Sequence, residues 1–166
     1  MAAPSEELLE AMNTAARYFF RLMTQCLADL PEAEDVSPTQ YRALGILTLR
    51  GSRNTGELAE ELGVGRPAAT KLVDRLVRRK LIRRRGHPTD RRQVMLEATD
   101  RGREIVRAVQ LCRRRRLARV LSELDPVARD ALRRDLPALT EAFERTGRAS
   151  AAPPELLTLA AAPRSR

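Results

Sequence analysis

The sequence predicts a mainly α-helical fold carrying one small β-hairpin, and three observations predict it. Apolar residues recur at spacings of three and four along most of the chain, the period of a helix with one buried face. Two short helical stretches, from about Asn54 and from about Arg66, meet at Gly63, a residue suited to the positive φ of a tight helix-to-helix turn. Only residues 81–98 break the period, with two β-like runs flanking the turn-forming Gly86-His87-Pro88-Thr89-Asp90. A chain of 166 residues, 43% apolar and 32% charged, fits one soluble globular domain burying roughly 70% of its unfolded surface.

The first helix is predicted over 5–29. Its stripe is Leu8, Met12, Ala15, Ala16, Phe19, Leu22, Met23 and Cys26, widened by Phe20, Leu27 and Leu30. That is more than one contact face requires, which predicts burial against a second chain as well as against its own domain. Pro31 and the acidic stretch 32–35 end it. Ser37-Pro38-Thr39-Gln40 is a helix start, with Ser37 as N-cap, Pro38 where a missing N–H costs nothing, and Gln40 completing a capping box. Tyr41, Leu44, Ile46, Leu47 and Leu49 give this second helix its core face, and Gly51-Ser52 stops it.

Leu58, Ala59 and Leu62 face inward on the third helix, and Val64 plugs the turn after Gly63. The fourth helix, over 66–80, buries Ala69, Leu72, Val73, Leu76 and Val77 and turns Arg66, Ala68, Lys71, Asp74, Arg75, Arg78 and Arg79 outward. A short helix, a glycine turn and a helix basic on its outer face make a helix-turn-helix. Residues 81–85 and 93–98 are the predicted strands, with Val94, Leu96 and Ala98 on one side and Gln93, Met95 and Glu97 on the other. The hairpin is a wing with Arg91 and Arg92 near its tip. Thr99 caps a long helix over 100–122, lined by Ile105, Val109, Cys112, Val120 and Leu121 and extended by Val106, Leu111 and Leu117. Asp125-Pro126 starts the last helix, with Val127, Ala131, Leu132, Leu136, Leu139 and Phe143 as its stripe and Pro137 expected to kink it or end its first half. The expected division is a dimerisation helix in 1–36, a winged helix-turn-helix lobe in 37–99, dimerisation helices in 100–146 and a disordered tail in 147–166, where 154–157 form at most a brief helical turn.

The net charge of +9 becomes informative once located. Residues 64–92 hold eleven Lys or Arg against Asp74 and Asp90, which accounts for the whole surplus. A surplus confined to one segment points to a polyanion. A membrane surface requires aromatic or bulky apolar anchors, and this segment has no aromatic residue, so nucleic acid is favoured. No apolar run approaches the roughly 18 to 20 residues of a membrane span. The start, MAAPSEELLE, lacks the order of a signal peptide, so a cytoplasmic location is expected. Cys26 and Cys112 make no disulfide framework and suit a reducing compartment. With one histidine, His87, no cysteine or histidine at ligand spacing and no phosphate-cradling glycine loop, neither an enzyme, a metal site nor a cofactor is expected.

The expected DNA contacts are Arg66, Pro67, Ala68, Ala69, Thr70 and Lys71 in the first half of the fourth helix, lying in the major groove, and Arg75, Arg78 and Arg79 on phosphate. Asp90, Arg91 and Arg92 complete the set from the wing. The bland alternative is a solvated basic face, but charge, spacing and wing coincide. The run 113–116 spans every side of its helix and reads as a solvated face with ion pairs, to an acid such as Asp130 or Glu123.

These residues resemble the MarR family of winged-helix transcriptional regulators. The resemblance rests on SPTQYRALGIL, TGELAEELGVGRPAATKLVDRLVRRKLIRRR and HPTDRRQVMLEATDRG, and is sharpest in the wing Asp90-x-Arg92 followed by Thr99-x-x-Gly102. It implies a homodimer whose first and last helices interlock, a double-stranded inverted-repeat operator with half-sites roughly 10 bp apart, and Arg92 in the minor groove, held by Asp90. It also implies a pocket for a small aromatic or lipophilic ligand near Met12, Phe19, Met23, Tyr41 and Leu44, and repression as the common mode. Two departures stand out: Gly65 where the family often has a capping serine, and Ala68-Ala69 where it often has Thr-Val. The peroxide-sensing cysteine of one family branch would fall near Asn13, so Cys26 and Cys112 read as inert core. A sequence-independent architectural DNA-binding protein and a cysteine-based redox-responsive regulator remain the alternatives.

Overall fold

The computed structural model describes residues 3–86 and 93–147. Six helices and one hairpin follow in the order α1 (Glu6–Ala28), a single 3-10 turn (Pro31–Ala33), α2 (Pro38–Leu49), α3 (Thr55–Leu62), α4 (Arg66–Arg78), β1 (Ile82–Gly86), β2 (Val94–Ala98), α5 (Asp100–Ser122) and α6 (Pro126–Gly147). His87, Asp90, Arg91, Arg92 and the expected tail after Gly147 lie outside the described residues.

Local chemistry sets these boundaries. Ser5 Oγ accepts from Leu8 N to start α1. At α2, Ser37 and Gln40 form the anticipated capping box, each side chain accepting from the other's backbone N–H. Asn54 and Glu57 form a second one at α3, which the sequence reading did not anticipate. Gly63 ends α3 at φ 67°, and the amides of Gly63 and Val64 close back onto Glu60 and Ala59. α4 stops at Arg78, two residues short of expectation. Lys80 takes φ 58°, and the Lys80 and Leu81 amides return to the carbonyls of Val77 and Leu76, the same paired closure without a glycine.

The core sits where α2, α3, α4, the hairpin and the first half of α5 converge. Tyr41, Leu44, Leu58, Val73, Leu76, Leu81, Ile82, Leu96, Ile105, Val106 and Val109 are fully buried there. α2 is central and enclosed on nearly every side, although Leu49 at its end is only partly covered. β1 and β2 pair antiparallel, Ile82 opposite Ala98 and Gly86 opposite Val94. Leu96 and Ala98 face the core as alternation predicts, whereas Val94, toward the tip, is exposed. A further backbone bridge joins Arg53 to Leu96, with N···O distances of 3.2 and 2.7 Å, giving the hairpin a third, one-residue strand.

α6 runs unbroken past Pro137, so that proline does not end it, and Gly147 belongs to the helix rather than to a tail. Among the described residues of α6 none is buried in the single chain. Arg116 of the basic run pairs with Gln25 of α1 and with Asp29, which caps that helix, not with Asp130 or Glu123; Asp130 instead pairs with Arg133 on its own helix. The helix-to-helix packing of α5 on α1 brings Asp29 within reach, which linear proximity does not.

Candidate nucleic-acid interface

The interface is built on the helix-turn-helix of α3 and α4. Ala69, Val73 and Leu76 seal one side of α4 into the core, and Leu72 and Val77 are partly covered at its edges. The opposite side is left to solvent because its residues carry charge or little apolar area. Arg66, Pro67, Ala68, Thr70, Lys71, Arg75 and Arg78 are all exposed there. Gly65 is the N-cap and offers no side-chain acceptor, so the first turn of α4 presents uncapped amides at its positive end.

Two expected members leave this surface. Ala69 is fully buried, because its position in the 3-4 repeat puts its methyl beneath the helix, where no DNA edge reaches it. Arg79 is partly buried and its guanidinium donates to the carbonyl of Glu34, fastening the end of α4 to the α1–α2 connection. Among the described residues, Arg66, Lys71, Arg75 and Arg78 have no ion-pair partner and no side-chain hydrogen bond, so their charge is uncompensated. The Thr70 hydroxyl donates to Arg66 O at 3.0 Å and keeps its lone pairs for an outside donor. Past the middle of α4, an open cleft of about 530 Å³ lies between its last turns and the start of α2, lined by Asp35, Ser37, Gln40, Arg75, Arg78 and Arg79.

The hairpin stem differs. Its three consecutive arginines are all engaged by carboxylates: Arg84 with Asp74 of α4 at 2.6 Å, Arg83 with Glu97 at 2.9 Å and Arg85 with Glu97 at 3.3 Å. At its base, Arg50 and Arg53 both hold Glu61, at 2.9 and 2.7 Å, and Arg53 also donates to the carbonyls of Arg50 and Ser52. This clamp fixes the bridge strand against α3. Sequence reasoning missed it, since a one-residue strand leaves no alternation to read.

The five candidate pocket residues are not brought onto one surface. Tyr41 and Leu44 are fully buried in the core, Met12 and Met23 are half-buried, and Phe19 is 57% exposed. Among the described residues the Tyr41 hydroxyl has no hydrogen-bond partner, and burial raises its pKa. Cys26 is likewise sealed, next to Cys112.

Comparison with known proteins follows the same outline. The MarR family model matches residues 34–93, which run from the α1–α2 connection to the start of β2. The uncharacterised HTH-type transcriptional regulator Mb0904 of Mycobacterium bovis is 35% identical over 98 residues, covering 59% of this chain and 68% of that protein. The HTH-type transcriptional repressor MdtR of Bacillus subtilis is 30% identical over 120 residues, 72% of this chain and 77% of that one. The crystal structure of RV1404 from Mycobacterium tuberculosis superposes with a TM-score of 0.75 at 38% identity, over 86% of this chain and 97% of that one. The chain belongs to the MarR family. It is therefore a DNA-binding transcriptional regulator with a winged helix-turn-helix, and Thr99-x-x-Gly102, part of the pattern that carried the resemblance, has a physical role here. Thr99 Oγ1 accepts from Gly102 N at 3.1 Å and donates to the carbonyls at the α4–β1 junction. Among the described residues no helix of this MarR protein is long and apolar enough to cross a membrane.

Proposed function

We propose that this MarR-family protein is a homodimeric, sequence-specific repressor acting in the cytoplasm, released from an inverted-repeat operator by a small aromatic or lipophilic ligand. The observation that carries the reading is the outer face of α4, where Arg66, Lys71, Arg75 and Arg78 stand exposed and unpartnered among the described residues while the inner face is sealed. In this reading 37–99 is the DNA-binding lobe, and 1–36 with 100–146 form the dimer. Arg66, Pro67, Ala68, Thr70 and Lys71 enter the major groove, Arg66 or Lys71 donating to guanine O6 or N7 and the Ala68 methyl meeting a thymine methyl. Arg75 and Arg78 meet phosphate. From the wing, Arg92 enters the minor groove, held by Asp90, with Arg91 beside it.

Repression is supported by the name of the MdtR relative, a transcriptional repressor. Ligand relief has as its support the buried Tyr41 hydroxyl, unpartnered among the described residues, a group that a polar ligand atom would satisfy. Titration of labelled duplexes tests the reading. An operator selected from a random library should bind about 10³-fold or more tighter than random duplex. Replacing both Arg75 and Arg78 by Ala should weaken both duplexes and flatten the salt slope by about one per arginine. Equal affinity for both duplexes in the wild-type protein would overturn the regulator and favour the architectural alternative.

A further inference from the structure

Asp74 is the one acid on α4, and its position is an unfavourable one for a helix that meets phosphate. It follows Lys71 by one turn and precedes Arg78 by one turn, on the basic side. An uncompensated carboxylate there repels DNA. Asp74 is instead compensated by Arg84 of β1, whose Nη2 lies 2.6 Å from Asp74 Oδ1, with both side chains about half-exposed. Residues 79–81 join α4 to β1, and Ile82, at the root of the strand, is buried. The hairpin is anchored at its root by Ile82 and, on β2, by buried Leu96 and its backbone bridge to Arg53. Those anchors run to the core and to the α2–α3 connection, whereas Arg84, two residues beyond Ile82, ties the strand to the recognition helix itself.

Glu97 provides an internal comparison. It also neutralises hairpin arginines, Arg83 at 2.9 Å and Arg85 at 3.3 Å, but it lies on β2 directly opposite Arg83, so its pairs stay within the hairpin. Loss of Glu97 frees charge without loosening the hairpin from α4. Loss of Asp74 does both.

We propose that Asp74 is a specificity-determining positioning residue: through Arg84 it holds the hairpin at a fixed offset from the recognition helix, and it withholds that cation from sequence-independent phosphate contacts. This rests on the sequence-specific reading proposed above. Phosphate contacts carry affinity and salt dependence without sequence information. A freed Arg84 therefore adds to every duplex alike. Registration of two reading elements matters only where both must meet their own groove at once, which is the operator complex.

Wild type, Asp74→Asn and Glu97→Gln are titrated against the selected operator and a random duplex across a salt series. Asp74→Asn should bind random duplex about 3- to 10-fold tighter at 0.1 M salt, with a slope steeper by about 0.9. Its operator-to-random ratio should fall by at least about threefold. Glu97→Gln should tighten both duplexes in parallel and leave the ratio unchanged. The charge-reversed pair, Asp74→Arg with Arg84→Asp, rebuilds the tie and should return the ratio to wild type, which also covers poor folding of the single variant. An unchanged ratio in Asp74→Asn, or a reversed pair that stays as low as the single variant, overturns the assignment to Asp74 alone. A wild-type protein that does not discriminate between the duplexes overturns the underlying reading as well.

Discussion

Burial pushes the Cys26 thiol up to about 12, and the hydrogen bond that the protonated thiol makes with the neighbouring Cys112 side chain acts in the same direction. The folded protein holds that proton more tightly than the unfolded chain, whose thiol titrates near about 8.5. Unfolding therefore releases a proton at alkaline pH. The contribution is fully present below the unfolded value and is lost as pH rises from there toward the folded one. Thermal unfolding followed by circular dichroism should show the Tm falling between about pH 9 and 11. Cys26→Ala should start from a lower Tm, because a small cavity opens, and fall less steeply over that range. Parallel slopes in the two proteins would mean that Cys26 does not titrate in this window. The same burial opposes thiolate chemistry at Cys26, as its place on an apolar stripe suggested. Legibility at this scale depended on where the partner lies. The exposed face of α4 follows from its 3-4 spacing, and Arg66, Lys71, Arg75 and Arg78 were readable from it. The same spacing puts Ala69 on the buried stripe and Ala68 outside it, and the structure bears out that placement against the DNA contact also expected of Ala69. Arg79 and Arg84 find their partners 45 and 10 residues away, Glu34 and Asp74, and no local pattern announces such contacts.

Elements in this chain are joined by close backbone approach as much as by side-chain packing. At the start of α5, a Cβ built on Gly102 would lie 2.3 Å from the Leu81 carbonyl oxygen and 3.1 Å from Leu44 Cδ2. The first contact is with backbone, which cannot swing aside as the end of a long side chain can. Gly102→Ala should therefore destabilise the fold by about 1–3 kcal/mol, against the small gain an alanine usually brings to a helix interior. Urea unfolding measures it, and an unchanged or raised midpoint would show that α5 can slide off the junction at little cost. The caps that fix most boundaries were legible, since Ser37-Pro38-Thr39-Gln40 and Thr99 act through neighbours three residues away. The Arg53–Leu96 bridge was not, because it joins distant residues through a single pair, nor was the clamp of Arg50 and Arg53 on Glu61, whose partners lie 11 and 8 residues away with no local pattern to mark them. The left-handed Lys80 was also hidden. A glycine there would have marked the end of α4, whereas a lysine reads as one more helical residue.

Across the whole molecule, apolar side chains divide into two populations. One is the core around α2. The other lies uncovered on α1, the second half of α5 and α6, and includes Tyr18, Phe19, Phe20, Val120, Leu121, Leu132, Leu136 and Phe143, with Val127 80% exposed. Isolated exposed leucines are ordinary, but aromatic and branched residues concentrated on the elements at both ends of the chain are what a partner covers. α6 in particular has no buried residue among those described, so a 22-residue helix with an apolar stripe lacks its packing surface unless a second copy supplies it. The breadth of the α1 stripe, wider than one face needs, carries the same implication from sequence alone. Replacing Leu136 and Phe143 together by Asp puts two charges on that stripe and should shift sedimentation from dimer to monomer. Each DNA-binding lobe should stay folded, since neither residue touches the core around α2, and binding to a duplex holding one half-site should be unchanged. Affinity for the full inverted repeat should drop by about 100-fold or more, because the second half-site is no longer reached at the high effective concentration that a linked lobe provides. A variant that remains dimeric would move the interface to α1 and α5. Equal affinity for full and half sites in the wild-type protein would mean that the two lobes do not act together, and the uncovered stripe would need another partner.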